Sequence, residues 1–369
     1  MALTRIQTDS LGGSTVIANN IANSAITLGK VDTATQQLFG SRNRIINGNM
    51  QINQRNAANT TATGYTLDRW KYTASNTSTG EVTYDTSGTL GKSVGFLKFA
   101  TGGSSYTIGT SELFTISQPI EGFNISDLQW GTSYASSITL SFWIRTYNST
   151  SGNGNYTGAI QNNDKTWSYV FTFNVTSATV WQYVTITIPG PTFGTWTKDN
   201  TAGMHVVFNL GCGSTYITSS NNAWVSGNYI STSAVSVQDI ASKVFGNFHI
   251  TQVQLEKGST ASPFEWRPYN IEMLMCQRYY EQYVVSTSNW ADVAIPYNGS
   301  TTNQWLNWRF QVTKRATPTL VNASVTTISS YSTIISTGLS PYGVSWNGTA
   351  GFYITSYAGP SYLAVSAEL

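Results

Sequence analysis

The chain has 369 residues, of which 10% are charged and 13% aromatic, with a net charge of +2. An average soluble protein carries about 25% charged residues; the few scattered basic residues here argue against a nucleic-acid binder, which needs a basic stripe to neutralise phosphates. Abundant aromatic and β-branched residues exclude a disordered chain, and no apolar run approaches the roughly 20 residues of a membrane span.

Two cysteines, Cys212 and Cys276, do not make a disulfide framework, and 2 His with 2 Cys do not suffice for a zinc cage from one chain. The length sets an expectation of about two to three domains. The opening MALTRIQTDSLGG lacks an apolar h-region, so Sec export is not expected. In residues 1–41, Ile17, Ile21, Ile26 and Val31 recur every four to five positions, which is neither a clean helix nor a strand period. The stripe is one residue wide and buries little in one chain. It reads either as a disordered N-terminus or as a stem intertwined around a threefold axis, and we take the stem.

From residue 42 to 269 the pattern is strand after strand. In SSITLSFWIRTY, Ile138, Leu140, Phe142 and Ile144 alternate with Thr139, Ser141, Trp143 and Arg145. In TWSYVFTFNV, Trp167, Tyr169, Phe171, Phe173 and Val175 share a face, as do Met204, Val206, Phe208, Leu210 and Cys212 in MHVVFNLGCG. Period two with one apolar face predicts half-buried antiparallel strands. Clusters such as TSGNGN supply the turns. The fold expected is mostly β, a jelly-roll-like antiparallel sandwich.

Residues 271–284, IEMLMCQRYYEQYV, contain no Gly or Pro and place Ile271, Leu274, Met275 and Tyr279 at i, i+3, i+4 and i+8. They predict a linking helix over 270–284 that buries Leu274 and Tyr279. Residues 285–369 return to strands and read as a smaller C-terminal β domain. There Leu306, Trp308, Phe310 and Val312 form an inner face with Trp305 outside, and Pro318 favours an edge strand or strand start.

Two blocks resemble a family of bacteriophage tail-fibre and virion appendage proteins. One is NRIINGNMQINQRN, residues 43–56, followed by YTLDRW at 65–70; the other is ITQVQLEKGSTASPFEWRPYNIEMLMCQRYYEQY, residues 250–283. The resemblance covers residues 15–283 and reaches about 321, and the N-terminal ANNIANSAITLGKVD is similar to the repetitive stem segments of such proteins. It implies a structural, receptor-binding role and a homotrimer docked to tail or capsid through its N-terminal segment. Read from chemistry alone, Asp68 can cap a turn before Arg69 and Trp70 and pair with an Arg. Glu256 and Glu265 have Arg267 and Arg69 as possible partners in a structural staple.

A weakly charged protein that grips sugars offers flat aromatics with neutral hydrogen-bonding groups. Trp305 points away from its strand's apolar face, and Trp290, Tyr297, Tyr342, Trp346, Tyr357 and Tyr362 sit in polar, Gly-rich surroundings; these are the candidate glycan contacts, unless they pack at a subunit interface. Trp143 stands on the polar face of its strand, either as a sugar platform or beneath a neighbouring sheet or subunit. Glycan hydrolysis needs two carboxylates about 5–10 Å apart, and no Asp/Glu-rich motif supplies them. His205 and His249 are isolated, no metal or cofactor motif occurs, and none is expected. The sequence reading is therefore a non-enzymatic virion protein made in the bacterial cytoplasm: a trimeric tail fibre binding host glycan. The alternatives are a capsid head fibre or decoration protein and a glycan-degrading tailspike.

Overall fold

The computed structural model describes residues 42–55, 60–284, 303–321, 333–349 and 362–369. The stem positions Ile17, Ile21, Ile26 and Val31 and the aromatics Trp290, Tyr297 and Tyr357 lie outside the described residues.

The protein is mostly β, with a jelly-roll-like sandwich of two antiparallel sheets. One sheet has seven strands in the order Gly64–Tyr65, Lys71–Ala74, Leu113–Glu121, Ala202–Cys212, Gly154–Asn162, Trp167–Val175 and Ala223–Ser226. The other has five in the order Gly80–Asp85, Phe96–Thr101, Asn247–Lys257, Ile138–Tyr147 and Gln182–Ile188. The alternation read from the sequence sets the inner faces. Ile138, Leu140, Phe142 and Ile144 are fully buried and share one core with Phe171, Phe173, Met204, Val206 and Phe208. Phe142 meets Phe208 edge-on at 5.0 Å and Phe173 at 5.2 Å. Each such side chain contributes about 1.5–3 kcal/mol by leaving water.

Two expectations of facing need correction. Cys212 does not share the face of Leu210: it packs with Ala159, Val207 and Ile230 in a separate cluster. A register shift between Asn209 and Gly211 inserts an extra residue, and one residue of slip turns the next side chain to the opposite face. The helix is also shorter and turned differently. It spans Tyr269–Gln277, and Tyr280–Val284 is a strand paired with Tyr362–Ser366. Aromatic and β-branched residues suit that strand, and its partner lies far along the chain. The helix turns Glu272 and Cys276 inward and leaves Leu274 39% exposed and Ile271 45% exposed. Its orientation follows polar partners rather than its apolar stripe, because Glu272 accepts the Asn47 N–H and faces Arg267 at 3.4 Å. Tyr279 is buried as expected, just beyond the helix end.

The C-terminal strands form two three-stranded sheets. In one, Tyr280–Val284, Tyr362–Ser366 and Thr319–Leu320 lie in that order, so the strand after Pro318 is an edge. In the other, Gly343–Thr349 runs between Asn303–Arg309 and Thr333–Ser340.

Candidate functional site

The two sequence blocks meet in one buried junction. Asn43 binds the Val253 carbonyl through its amide (3.0 Å) and accepts from the N–H groups of Ile45 and Leu255 (2.9 and 3.0 Å). Its own N–H donates to Glu265 at 2.7 Å, and Glu265 pairs with Arg267 at 3.3 Å. Arg267 also donates to the Ile45 carbonyl. Glu256 takes different partners from those expected. It accepts from Ser262 N–H (2.8 Å), Ser262 hydroxyl (2.6 Å) and Gln254 amide (2.9 Å). The expected Glu265–Arg267 pair forms, whereas Arg69 pairs with Glu368 instead.

The Asp68-Arg69-Trp70 corner closes the junction. Trp70 Nε1 donates to the Asn47 carbonyl at 3.0 Å. Asp68 accepts from Gln54 N–H and side-chain amide, both at 2.7 Å, rather than from an Arg as expected. Burial raises the Asp68 carboxyl to about 6, against the opposing pull of Arg55 and the Gln54 hydrogen bonds. Arg69 stacks over the Tyr279 ring at 3.6 Å and donates to the Pro119 carbonyl at 2.6 Å. The Tyr279 hydroxyl donates to Glu121 at 2.6 Å, which also receives Arg278 at 2.5 and 2.9 Å. Every carboxylate here is engaged by donors, and the arrangement is a polar staple.

A groove lies at the C-terminal sheet. About 960 Å³ in volume, it is lined by Asn307, Arg309, Gln311, Tyr342 and Ser345, with Trp308 and Phe310 also in its wall. Alternation builds it: Asn307 and Arg309 are exposed, while Trp308 between them is buried and meets Phe310 edge-on at 5.1 Å. Tyr342 stands on the turn joining two strands and is 69% exposed. Its carbonyl accepts from Phe310 N–H at 3.2 Å, and its N–H donates to the Ser340 hydroxyl at 3.2 Å. The groove is tied to the Tyr280–Val284 strand by a buried ion pair, Lys314–Glu281 at 2.5 Å. Strand pairing puts Trp305 opposite Asn347, Leu306 opposite Trp346 and Tyr362 opposite Val284; the side chains of these three aromatic candidates lie outside the described residues.

Trp143 occupies a different place, the outer face of the five-stranded sheet. It is half-buried against Tyr183, itself 47% exposed, with ring centres 5.3 Å apart. Arg145, on the same face, is already engaged: Nε donates to His249 Nδ1 at 3.0 Å, and the guanidinium lies over Trp181 at 4.8 Å. The sequence reading missed Tyr183, although its alternation with the exposed Thr185 and Thr187 was a usable signal. It also missed a cleft on the outer face of the seven-stranded sheet, where Lys71, Lys165 and His205 come from three separate segments. Among the described residues, no cluster of His, Cys, Asp and Glu could hold a metal ion.

No family model matches the chain, and no curated protein matches it. Among solved structures, the chain is similar to the enzymatically active domain of tailspike protein 4 of bacteriophage CBA120, at 10% identity and a TM-score of 0.32, over 58% of this chain and 21% of that one. It thus spans about a fifth of that tailspike chain. It is similar to the carbohydrate-binding module CBM4 at 14% identity and a TM-score of 0.30, covering 57% of this chain and 97% of the module. A family 11 carbohydrate-binding module of a Clostridium thermocellum cellulosomal cellulase is similar at 11% identity and a TM-score of 0.26, over 56% of this chain and 98% of the module.

Proposed function

We propose that the chain is a bacteriophage virion appendage, a homotrimeric tail fibre that binds host surface glycan through the C-terminal groove and does not cleave it. The observation that carries this reading is the groove itself: an exposed Tyr342 ring beside the exposed side chains of Asn307, Arg309 and Gln311. A flat aromatic offers the apolar face that sugar C–H groups pack on, and amide and guanidinium groups supply directional partners for hydroxyls. The Trp143–Tyr183 face is a second aromatic surface of the same kind. Non-hydrolytic binding agrees with the state of Glu256 and Glu265, whose oxygens accept from backbone and side-chain donors inside the junction instead of flanking an open cleft. Weak single contacts become firm attachment when three copies per fibre engage together, a gain of about 10²–10⁴ where geometry allows. Adsorption of labelled full-length protein to host cells tests this. Tyr342→Ala should weaken adsorption without lowering the melting temperature; undiminished adsorption would remove the groove as the reader.

A further inference from the structure

The missed cleft on the seven-stranded sheet follows from strand pairing. Lys71 lies opposite Ser117, Thr73 opposite Thr115, and His205 between Pro119 and Gln161. These outward side chains, with Lys165 from the turn after Gly154–Asn162, line a cleft of about 70 Å³. That is room for one charged edge of a sugar rather than a whole ring.

Its charge is unbalanced. Lys165 is exposed as a residue, yet its ammonium is held below the ordinary lysine range, first by burial and then by Lys71. His205 is pushed down to about 4, first by burial and then by Lys165, with Lys71 adding to it and a hydrogen bond with the Asn163 backbone opposing. No side-chain carboxylate lines the cleft; Leu369, the last residue, also lines it, and its backbone oxygen accepts from the Tyr65 hydroxyl at 2.6 Å. The acids near its rim are engaged elsewhere. Asp164 accepts from the Thr166 hydroxyl at 2.8 Å, Glu121 binds Arg278, and Glu368 binds Arg55 and Arg69. Like charges gathered in a partly dry site oppose one another, and an anion placed between them would relieve that.

The polar wall is built for more than an ion. Thr115 and Ser117 bring hydroxyls, and Gln161 fixes the Asn228 amide at 2.8 Å while also holding the Ser168 hydroxyl at 3.0 Å. Val207 and Ile230 supply an apolar floor. We propose that this cleft binds the carboxylate edge of an acidic sugar residue, Lys71 and Lys165 taking the charge and the hydroxyl and amide groups of the wall taking the polar atoms of that same edge. The proposal extends the glycan-binding reading to a second site and stands apart from the C-terminal groove.

Calorimetry on the full chain tests it with three probes: a glucuronate-containing tetrasaccharide, its neutral glucose counterpart, and inorganic sulfate. The acidic tetrasaccharide should bind, with affinity falling as salt rises. Substituting Lys71→Gln and Lys165→Gln together should weaken it by at least about tenfold, as loss of charge-assisted hydrogen bonds does, while Tyr342→Ala leaves it unchanged. The double variant should melt no lower than the parent, since it removes repulsion in the empty cleft. Equal binding of the neutral tetrasaccharide by the Tyr342→Ala protein, or full affinity in the double variant, overturns the proposal. So does sulfate binding as tightly as the tetrasaccharide, which would mark a bare anion site. A lowered melting temperature in the double variant also overturns it, because the lysines would then serve the fold. Loss of binding in Tyr342→Ala alone would place the acidic sugar in the C-terminal groove instead.

Discussion

His249 accepts a hydrogen bond from Arg145, and its Nε2 has no hydrogen-bond partner among the described residues. Burial first, and then Arg145, push its pKa from 6.5 down to about 3. The unfolded chain therefore takes up a proton where the folded chain resists it, so stability is lost as pH falls from about 6.5 toward 3. His205 acts in the same direction. Asp68, raised to about 6, acts in the opposite one: its contribution is full below the ordinary carboxylate value and is lost as pH rises through about 6. His249→Gln should remove roughly 2–3 kcal/mol of the acid loss at about pH 4.5, read as the difference in unfolding free energy from pH 7; an unchanged pH dependence would contradict the assignment. At the helix, Tyr279→Ala should cost about 3–5 kcal/mol because the ring is buried against Arg69, whereas Leu274→Ala should cost no more than about 0.5 kcal/mol as a surface change. Equal costs in chemical denaturation would mean that the exposed side of the helix is covered by another copy.

At the scale of elements, Gly48 explains why the first block needs a glycine. A Cβ there would stand 2.1 Å from the Val253 carbonyl oxygen, and Val253 N–H donates to the Gly48 carbonyl at 2.9 Å. Backbone cannot move aside as a flexible side chain can, so Gly48→Ala should destabilise by about 1–3 kcal/mol or abolish folding; a parent-like melting temperature would mean the loop can shift freely. The same scale shows what the sequence could tell. The inner faces of Ile138–Ile144 and Tyr169–Val175 were legible because period two depends only on near neighbours. The turned-over Cys212 was not, because an inserted residue changes register without changing the apolar run. The helix end at Gln277 was not legible either, because the competing strand partner is Tyr362–Ser366, and helical spacing of Ile271, Leu274 and Met275 carries no information about it.

Over the whole molecule, the last described segment returns to the first. Glu368 binds Arg55 at 2.5 Å and the buried Arg69, and Arg315 donates to the Ala367 carbonyl at 2.5 Å. Removing that carboxylate would strand a buried guanidinium, so Glu368→Ala should cost about 3–5 kcal/mol; retention of the parent unfolding midpoint would show that the pair is dispensable. Such long-range pairing is why the sequence reading gave Arg69 the wrong partner. The lining of the groove was legible in part. Tyr342 was singled out by its polar, Gly-rich surroundings and does line the groove, but Asn307, Arg309 and Gln311 became visible only once alternation and a distant turn were brought together. The proposed homotrimer should appear in light scattering of the full chain, and a stable monomer would count against it. The central claim is tested most directly by binding of purified full-length protein to isolated host surface polysaccharide, with reducing ends assayed in the same samples. Binding should be saturable and weakened by Tyr342→Ala, with no new reducing ends. Absence of binding to host polysaccharide, or release of reducing ends, would contradict the claim.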